Sequence, residues 1–283
     1  MVSYRFCRPD DASLLVLAVQ QCWDVYGRDN YAFDRMRYRR EVSEQHLWAS
    51  SCMIACEGDD PIAVLMGAKR AHSTLITRLA THPEHVRRGH AAHLLDSLMR
   101  KLAILGPSRL RVEMPEDVGL LDHLLARMDF AQLVEKYVDL AWRGEPGPTT
   151  ATGQVTPLTW EDVAQHHCVQ PVHQRSWHRE REAMAAVSDD LTVWALLSDR
   201  LEAVVAFRDL DQMRELWMLE WSPDARGQQA AKILLSDVCR SSHGYVVAHR
   251  WPQASRGYEF LISNGFDPIS AYKPWAVTIA NRI

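Results

Sequence analysis

No run of about 18 apolar residues occurs anywhere in the 283-residue sequence, so no helix is expected to cross a membrane. The first residues, Met1-Val2-Ser3-Tyr4-Arg5-Phe6, lack the apolar stretch of a signal peptide and read as the start of a strand. Paired cysteine motifs are missing too. The six cysteines (7, 22, 52, 56, 168 and 239) include no CxxC, and they are expected to be buried thiols of a reducing cytoplasm. A charge excess is also lacking, since the formal net charge is only −4. That balance gives no electrostatic reason to expect nucleic acid or an anionic membrane as partner. The cluster Arg35, Arg37, Arg39, Arg40 lies among Asp34, Glu41 and Glu44, and is expected to be a solvated helix face. What remains is ordinary for a globular chain, 47% hydrophobic and 24% charged, and its length suits two domains of roughly 150 residues.

The segment Arg143 to Gly153 holds three Gly and two Pro without an apolar period, so it reads as a linker. We therefore expect domains at 1–143 and 154–283, joined by 144–153. The two halves then run in the same order. In the first, a strand over Ser3 to Cys7 leads into a helix through Leu14 to Cys22. Two apolar runs, Met53 to Cys56 and Ile62 to Met66, flank the turn Glu57 to Pro61. A strand over Leu75 to Thr81 precedes a helix with Ala91, Leu94, Leu95, Leu98 and Leu102 at helical spacing. A strand at Leu110 to Glu113, a helix over Leu120 to Met128 and a strand over Leu133 to Trp142 close the half. Leu191 to Leu197, Leu201 to Phe207, Leu216 to Trp221 and a helix with Ala230, Ile233 and Leu234 repeat the order in the second half. It ends on the strand Tyr245 to Ala248, a helix at Tyr258 to Ser263 and a strand at Ala276 to Ile279. The fold class is α/β (α+β): two mixed, partly parallel sheets with helices on their faces.

The segment with chemical character is Leu79-Ala80-Thr81-His82-Pro83-Glu84-His85-Val86-Arg87-Arg88-Gly89-His90-Ala91. A strand ends, a basic turn with a glycine follows, and a helix begins. Backbone N–H groups at a helix start lack intrahelical partners and sit at the positive end of the macrodipole, which suits a pyrophosphate. Gly89 would let that anion approach the backbone, and Arg87 and Arg88 add positive charge. The histidines at 166, 167, 173 and 178, with Cys168, have neither HExxH nor CxxC spacing, and no metal site is expected. Seven of the ten tryptophans follow the linker, where they could form either a core or an apolar pocket.

This turn resembles motif A of the GNAT superfamily of N-acetyltransferases, whose loop reads Q/R-x-x-G-x-G/A. Val86, Arg87, Arg88, Gly89, His90 and Ala91 fill the six positions, with Val86 departing from the pattern. In the second half, Arg226 to Ala231 resembles the same loop, but Gln229 stands where the glycine belongs. Asn264-Gly265-Phe266 and Met128-Asp129-Phe130 are similar to the Gly-Phe that follows the fourth helix. Pro83 and Pro223 are 140 residues apart, and Phe130 and Phe266 are 136 apart, which favours a tandem pair.

The resemblance implies acyl transfer from acetyl-CoA or another acyl-CoA to an amine of a small molecule. Its other readings are a non-catalytic acyl-CoA-binding module and a thioester delivered by a carrier protein. The family's Tyr acid is replaced by Leu125 and Leu261, and Tyr258, one turn earlier, is the substitute candidate. The strand-four carboxylate of some members corresponds to Glu215 in the second half and to Leu75 in the first, so Glu113 is the first half's candidate base. The resemblance further implies that Leu79, Ala80, Thr81 and Val86 to Ala91 contact the cofactor. The loop is better kept in the first half, and a single CoA is expected there.

Overall fold

The structure is a computed structural model that describes residues 1–27, 32–117, 119–145, 155–165, 176–210 and 212–279. Most of the expected linker, and His166, His167, Cys168 and His173, lie outside the described residues. Among them, no helix is long and apolar enough to cross a membrane. The chain forms two compact units, one of Met1–Val134 with Lys273–Ile283, the other of Glu135–Tyr272.

The first unit contains β1 (Val2–Phe6), α1 (Ala12–Cys22), α2 (Arg35–Glu44), β2 (Met53–Glu57), β3 (Asp60–Lys69), β4 (Thr74–Thr81), α3 (His90–Leu105), β5 (Arg109–Pro115), α4 (Gly119–Arg127) and β6 (Ala131–Gln132). Strands β1 to β4 pair antiparallel in chain order, and β4 pairs parallel with β5. The run Ile62–Met66 is buried on both faces because helices cover both sides of β3. Leu94, Leu95, Leu98, Met99 and Leu102 form the apolar stripe of α3 and pack with Ile76, Leu79, Leu110 and Val112. On the opposite face, α1 buries Leu15, Val16, Ala18, Val19 and Cys22. Glu41 departs from the expected solvated face of α2. It is buried and receives a two-pronged bond from Arg78 at 2.6 and 2.7 Å.

The second unit contains β7 (Tyr137–Arg143), β8 (Val155–Leu158), α5 (Trp160–Gln165), α6 (Arg181–Ala186), β9 (Thr192–Leu197), β10 (Leu201–Leu210), β11 (Met213–Trp221), α7 (Ala225–Arg240), β12 (Tyr245–Pro252), α8 (Arg256–Ser263) and the first half of β13 (Asp267–Thr278). Strands β8 to β11 pair antiparallel in order, β11 pairs parallel with β12, and β12 is followed by β7 and β13. One core lies between this sheet and α7 with α8, and a second gathers Trp160 and Val163 of α5 and Met184 of α6 with Val193, Val204 and Met218 of the strands.

The units do not divide at the linker. Of the strand expected over Leu133 to Trp142, only the part from Tyr137 forms, as β7, while β6 precedes it; β7 belongs to the second unit because Val138 and Leu140 pack into that unit's core. The end of the chain does the reverse, with Trp275, Val277 and Ile279 packing into the first unit's core. The tryptophans at 160, 177, 251 and 275 are buried in packing. Five cysteines are free and buried, and Cys168 is not among the described residues.

Candidate active site

In the first unit, β4 and β5 are in register only from Thr74/Leu110 to Ile76/Val112. Beyond this, β4 continues to Thr81 and β5 to Pro115, so the two strands fork toward their C-terminal ends. Ligands of α/β sheets bind at that end of parallel strands. Leu79 and Ala80 are buried along the fork, and Thr81 is half-buried.

The eight residues from His82 to Gly89 then carry the chain to α3. Pro83–His85 form a single 3-10 turn, in which Nδ1 of His82 accepts the Glu84 N–H at 3.3 Å. Val86 is extended, and Arg87 and Gly89 are left-handed at φ 62° and 89°. Glycine is favoured at position 89 by this left-handed φ and not by lack of space, since a Cβ there would meet nothing within 4 Å. Gly89 caps α3 with no side chain on the first N–H groups. The result is an exposed turn of Val86 to Gly89 whose helix amides and dipole are available to an anion. His90 behind it is only 6% exposed, and its Nδ1 pairs with the Tyr4 hydroxyl at 2.7 Å. Burial lowers its pKa, and His85 and Arg88 act in the same direction.

Glu113 lies where β5 leaves the fork. It is buried, and its Oε1 accepts from Arg111 Nη2 at 2.8 Å. That ion pair engages one oxygen of the carboxylate.

The second unit repeats the fork but not the loop. Strands β11 and β12 are in register at Arg214/Val246 and Glu215/Val247. Only Ser222, Pro223 and Asp224 separate β11 from α7, so Gln229 lies inside the helix rather than at the glycine's place in a loop. The helix start is occupied by the protein itself, because Asp224 accepts the Gly227 N–H at 2.9 Å. That N–H and Arg200 hold the Asp224 carboxyl down to about 2, so it stays charged where a phosphate would sit. The fork is occupied as well. Arg179 donates to the carbonyl of Trp217 on β11 at 2.5 Å and to that of His249 on β12 at 3.2 Å. Its guanidinium lies 3.7 Å from the centre of the Trp251 ring.

Glu215 is one member of a polar row that crosses five adjacent strands. Arg208 donates to Glu215 at 2.7 Å, and Trp217 Nε1 donates to the same oxygen at 3.1 Å. His249 stands between carboxylates, 3.8 Å from Glu215 and 3.4 Å from Asp139, and Tyr272 donates to Asp139 at 3.0 Å. A β-bulge between Ala248 and Trp251 aims His249 here, and the left-handed Arg250 gives its N–H to Asp139 at 2.7 Å. Burial opposes the charged form of His249, but Asp139 and Glu215 outweigh it and raise its pKa. Asp139 is held well below the usual carboxylate range against its burial by His249 and Arg250. Tyr258 does not join the row: it starts α8, where Ser255 accepts its N–H, and its ring packs on the core.

Sequence reasoning missed Asp139, His249 and Tyr272, because residues so far apart in the chain make no local pattern. The Asp224 cap was readable, as an Asp directly before a helical run.

Residues 19–117 match the family model described as acetyltransferase (GNAT) family. No curated protein matches the chain in sequence. A GCN5-related N-acetyltransferase of Sphaerobacter thermophilus has a similar structure, with a TM-score of 0.72 at 12% identity over 100% of this chain and 97% of that one. A tandem GNAT protein from the clavulanic acid biosynthesis pathway gives 0.66 at 12% identity over 99% of each chain. A glucosamine N-acetyltransferase region of a fungal multi-domain β-N-acetylglucosaminidase gives 0.70 at 11% identity, over 98% of this chain and 38% of that one. These likenesses concern the fold, and the family match falls on the segment that contains the fork and the loop. Over residues 19–117, less than half of its length, the chain is similar to the acetyltransferase (GNAT) family.

Proposed function

We propose that the first unit binds acetyl-CoA or another acyl-CoA and that its acyl group passes to an amine of a small molecule. The observation that carries this reading is the start of α3, left without a side-chain cap behind a left-handed Gly89. Several oriented N–H groups acting on one multiply charged anion make a strong anchor. Leu79 to Thr81 and Val86 to Ala91 are the residues proposed to hold the cofactor. In the reaction the amine nitrogen attacks the thioester carbonyl carbon, negative charge collects on the oxygen, and the C–S bond breaks to release the thiolate. Amides of β4 beyond Ile76, no longer in register with β5, are the proposed donors to that oxyanion. The amine must lose a proton, and Glu113 is the candidate acceptor in the first unit. Glu215 and Tyr258 have other roles in the second, an ion pair and core packing. The free buried thiols fit a reducing cytoplasm.

The test is release of free CoA from acetyl-CoA by the purified chain across a panel of small amines, with the mass of any co-purified ligand measured under native conditions. Amine-dependent release supports enzymatic transfer. Binding of acyl-CoA with no release for any amine would make the chain a binding module, and absence of binding would overturn the reading altogether.

A further inference from the structure

We propose that His82, Glu84 and His85 form a site for a divalent transition-metal ion of zinc type, set on the edge of the anion-binding loop. Their ligand atoms all lie within 4.8 Å of one another, on three residues of one turn. The turn is fixed by its own bonds. The His82 N–H donates to the Ile62 carbonyl at 2.8 Å, and the His85 N–H donates to that of His82 at 2.9 Å. Pro83 fixes the backbone between them. The Glu84 N–H engages Nδ1 of His82, which leaves Nε2 of that ring as the ligating nitrogen. Little conformational freedom would be lost on binding.

Two imidazoles and one carboxylate favour zinc, cobalt or nickel over magnesium or calcium. Three protein donors leave a coordination position open for water or for an anionic oxygen. His90 lies beside the group, its ring centre 6.2 Å from that of His85. Its Nε2 is buried and has no hydrogen-bond partner among the described residues.

The site has a consequence for the loop, which rests on the acyl-CoA reading. The Glu84 carboxylate stands two residues before Val86, where it repels an incoming pyrophosphate. A dication ligated by Glu84 offsets that carboxylate's repulsion, adds to the charge of Arg87 and Arg88, and offers its open position to a phosphate oxygen. Zinc and CoA should then strengthen each other's binding by the same factor, as linkage requires.

The experiment titrates Zn²⁺ into the full chain after chelator treatment, by calorimetry, and then titrates CoA with and without Zn²⁺. We expect a site on the order of micromolar affinity that the His82→Ala, His85→Ala double variant weakens by roughly 100-fold, and Glu84→Gln by about ten-fold. The reading is the site lost in the double variant, since His166, His167, Cys168 and His173 could take zinc as well. Co²⁺ in place of Zn²⁺ reports the ligand set by its visible spectrum. Thermal unfolding of each variant shows that it is folded, and the single variant His85→Gln serves if the double one is not. Zinc binding that is unchanged in a folded variant overturns the site. Zinc bound at the site with CoA affinity indifferent to it overturns the coupling. Zinc bound at the site with no CoA bound under either condition overturns the acyl-CoA reading and leaves the metal site standing.

Discussion

Both units set four antiparallel strands beside a parallel pair that forks, and both send a 16-residue helix from the fourth strand. They differ at the helix start. Eight residues ending in a left-handed glycine lead into α3, whereas three residues ending in Asp224 lead into α7. A helix N-terminus becomes an anion site only when the chain leaves its amides unclaimed, and the second unit claims them with its own carboxylate. The forks differ in the same sense. In the second unit, Arg179 bonds the carbonyls that the parting strands release.

The charged groups on the sheets sharpen the contrast. In the first unit they close into separate pairs, Arg78 with Glu41 and Arg111 with Glu113. In the second, beside the separate pair of Arg214 with Asp209, a row forms with His249 between two carboxylates. Removing one member of a buried pair strands the others, so Asp139→Ala is expected to cost about 3–5 kcal/mol in urea unfolding. Glu41→Ala should cost a similar amount in the first unit by stranding Arg78. Tyr272→Phe, which removes a single neutral donor, should cost only ~1 kcal/mol. Equal losses for Asp139→Ala and Tyr272→Phe would break the account of the row.

The two units should also respond oppositely to pH near 6.5. His249 has a raised pKa in the folded chain, so its contribution is full below the unfolded value of about 6.5 and fades as pH rises through the folded value. His90 has a lowered pKa, so its contribution is present above about 6.5 and fades as pH falls through the folded value. Asp139, held low, contributes above its unfolded pKa of about 3.9 and loses that contribution in stronger acid. Histidine NMR titration should place His249 above free histidine and His90 below it. Both on the same side would contradict the electrostatic reading. The smallest effect is expected at the cap. Asp224→Ala should cost ~1 kcal/mol of stability in thermal or urea unfolding and leave CoA affinity unchanged.

Periodicity located the helices and the order of strands because apolar stripes such as Leu94, Leu95, Leu98 and Leu102 follow from burial against a sheet. It could not say which core a strand end enters. Leu133 to Trp142 is apolar throughout most of its length, and only packing assigns Val138 and Leu140 to the second unit. The turn before α3 was legible because its signal is local: a glycine, two arginines and a helix start. The resemblance of Arg226 to Ala231 misplaced its counterpart, since those residues lie inside α7, where Pro223 directly precedes a cap, whereas Pro83 opens a 3-10 turn. The row around His249 was illegible for the opposite reason, being assembled from five strands of which only Glu215 carried any pattern.

The central claim is that one acyl-CoA binds per chain, at the first unit's loop. Its most direct test is CoA stoichiometry and affinity by calorimetry in the wild type, Gly89→Glu and Gln229→Glu, each shown to be folded. We predict one CoA per wild-type chain and a loss of ten-fold or more in Gly89→Glu, because charge-assisted hydrogen bonds of about 1.5–3 kcal/mol each are removed. Gln229→Glu should bind as the wild type does. Two CoA per chain, or binding lost in Gln229→Glu and kept in Gly89→Glu, would contradict the account.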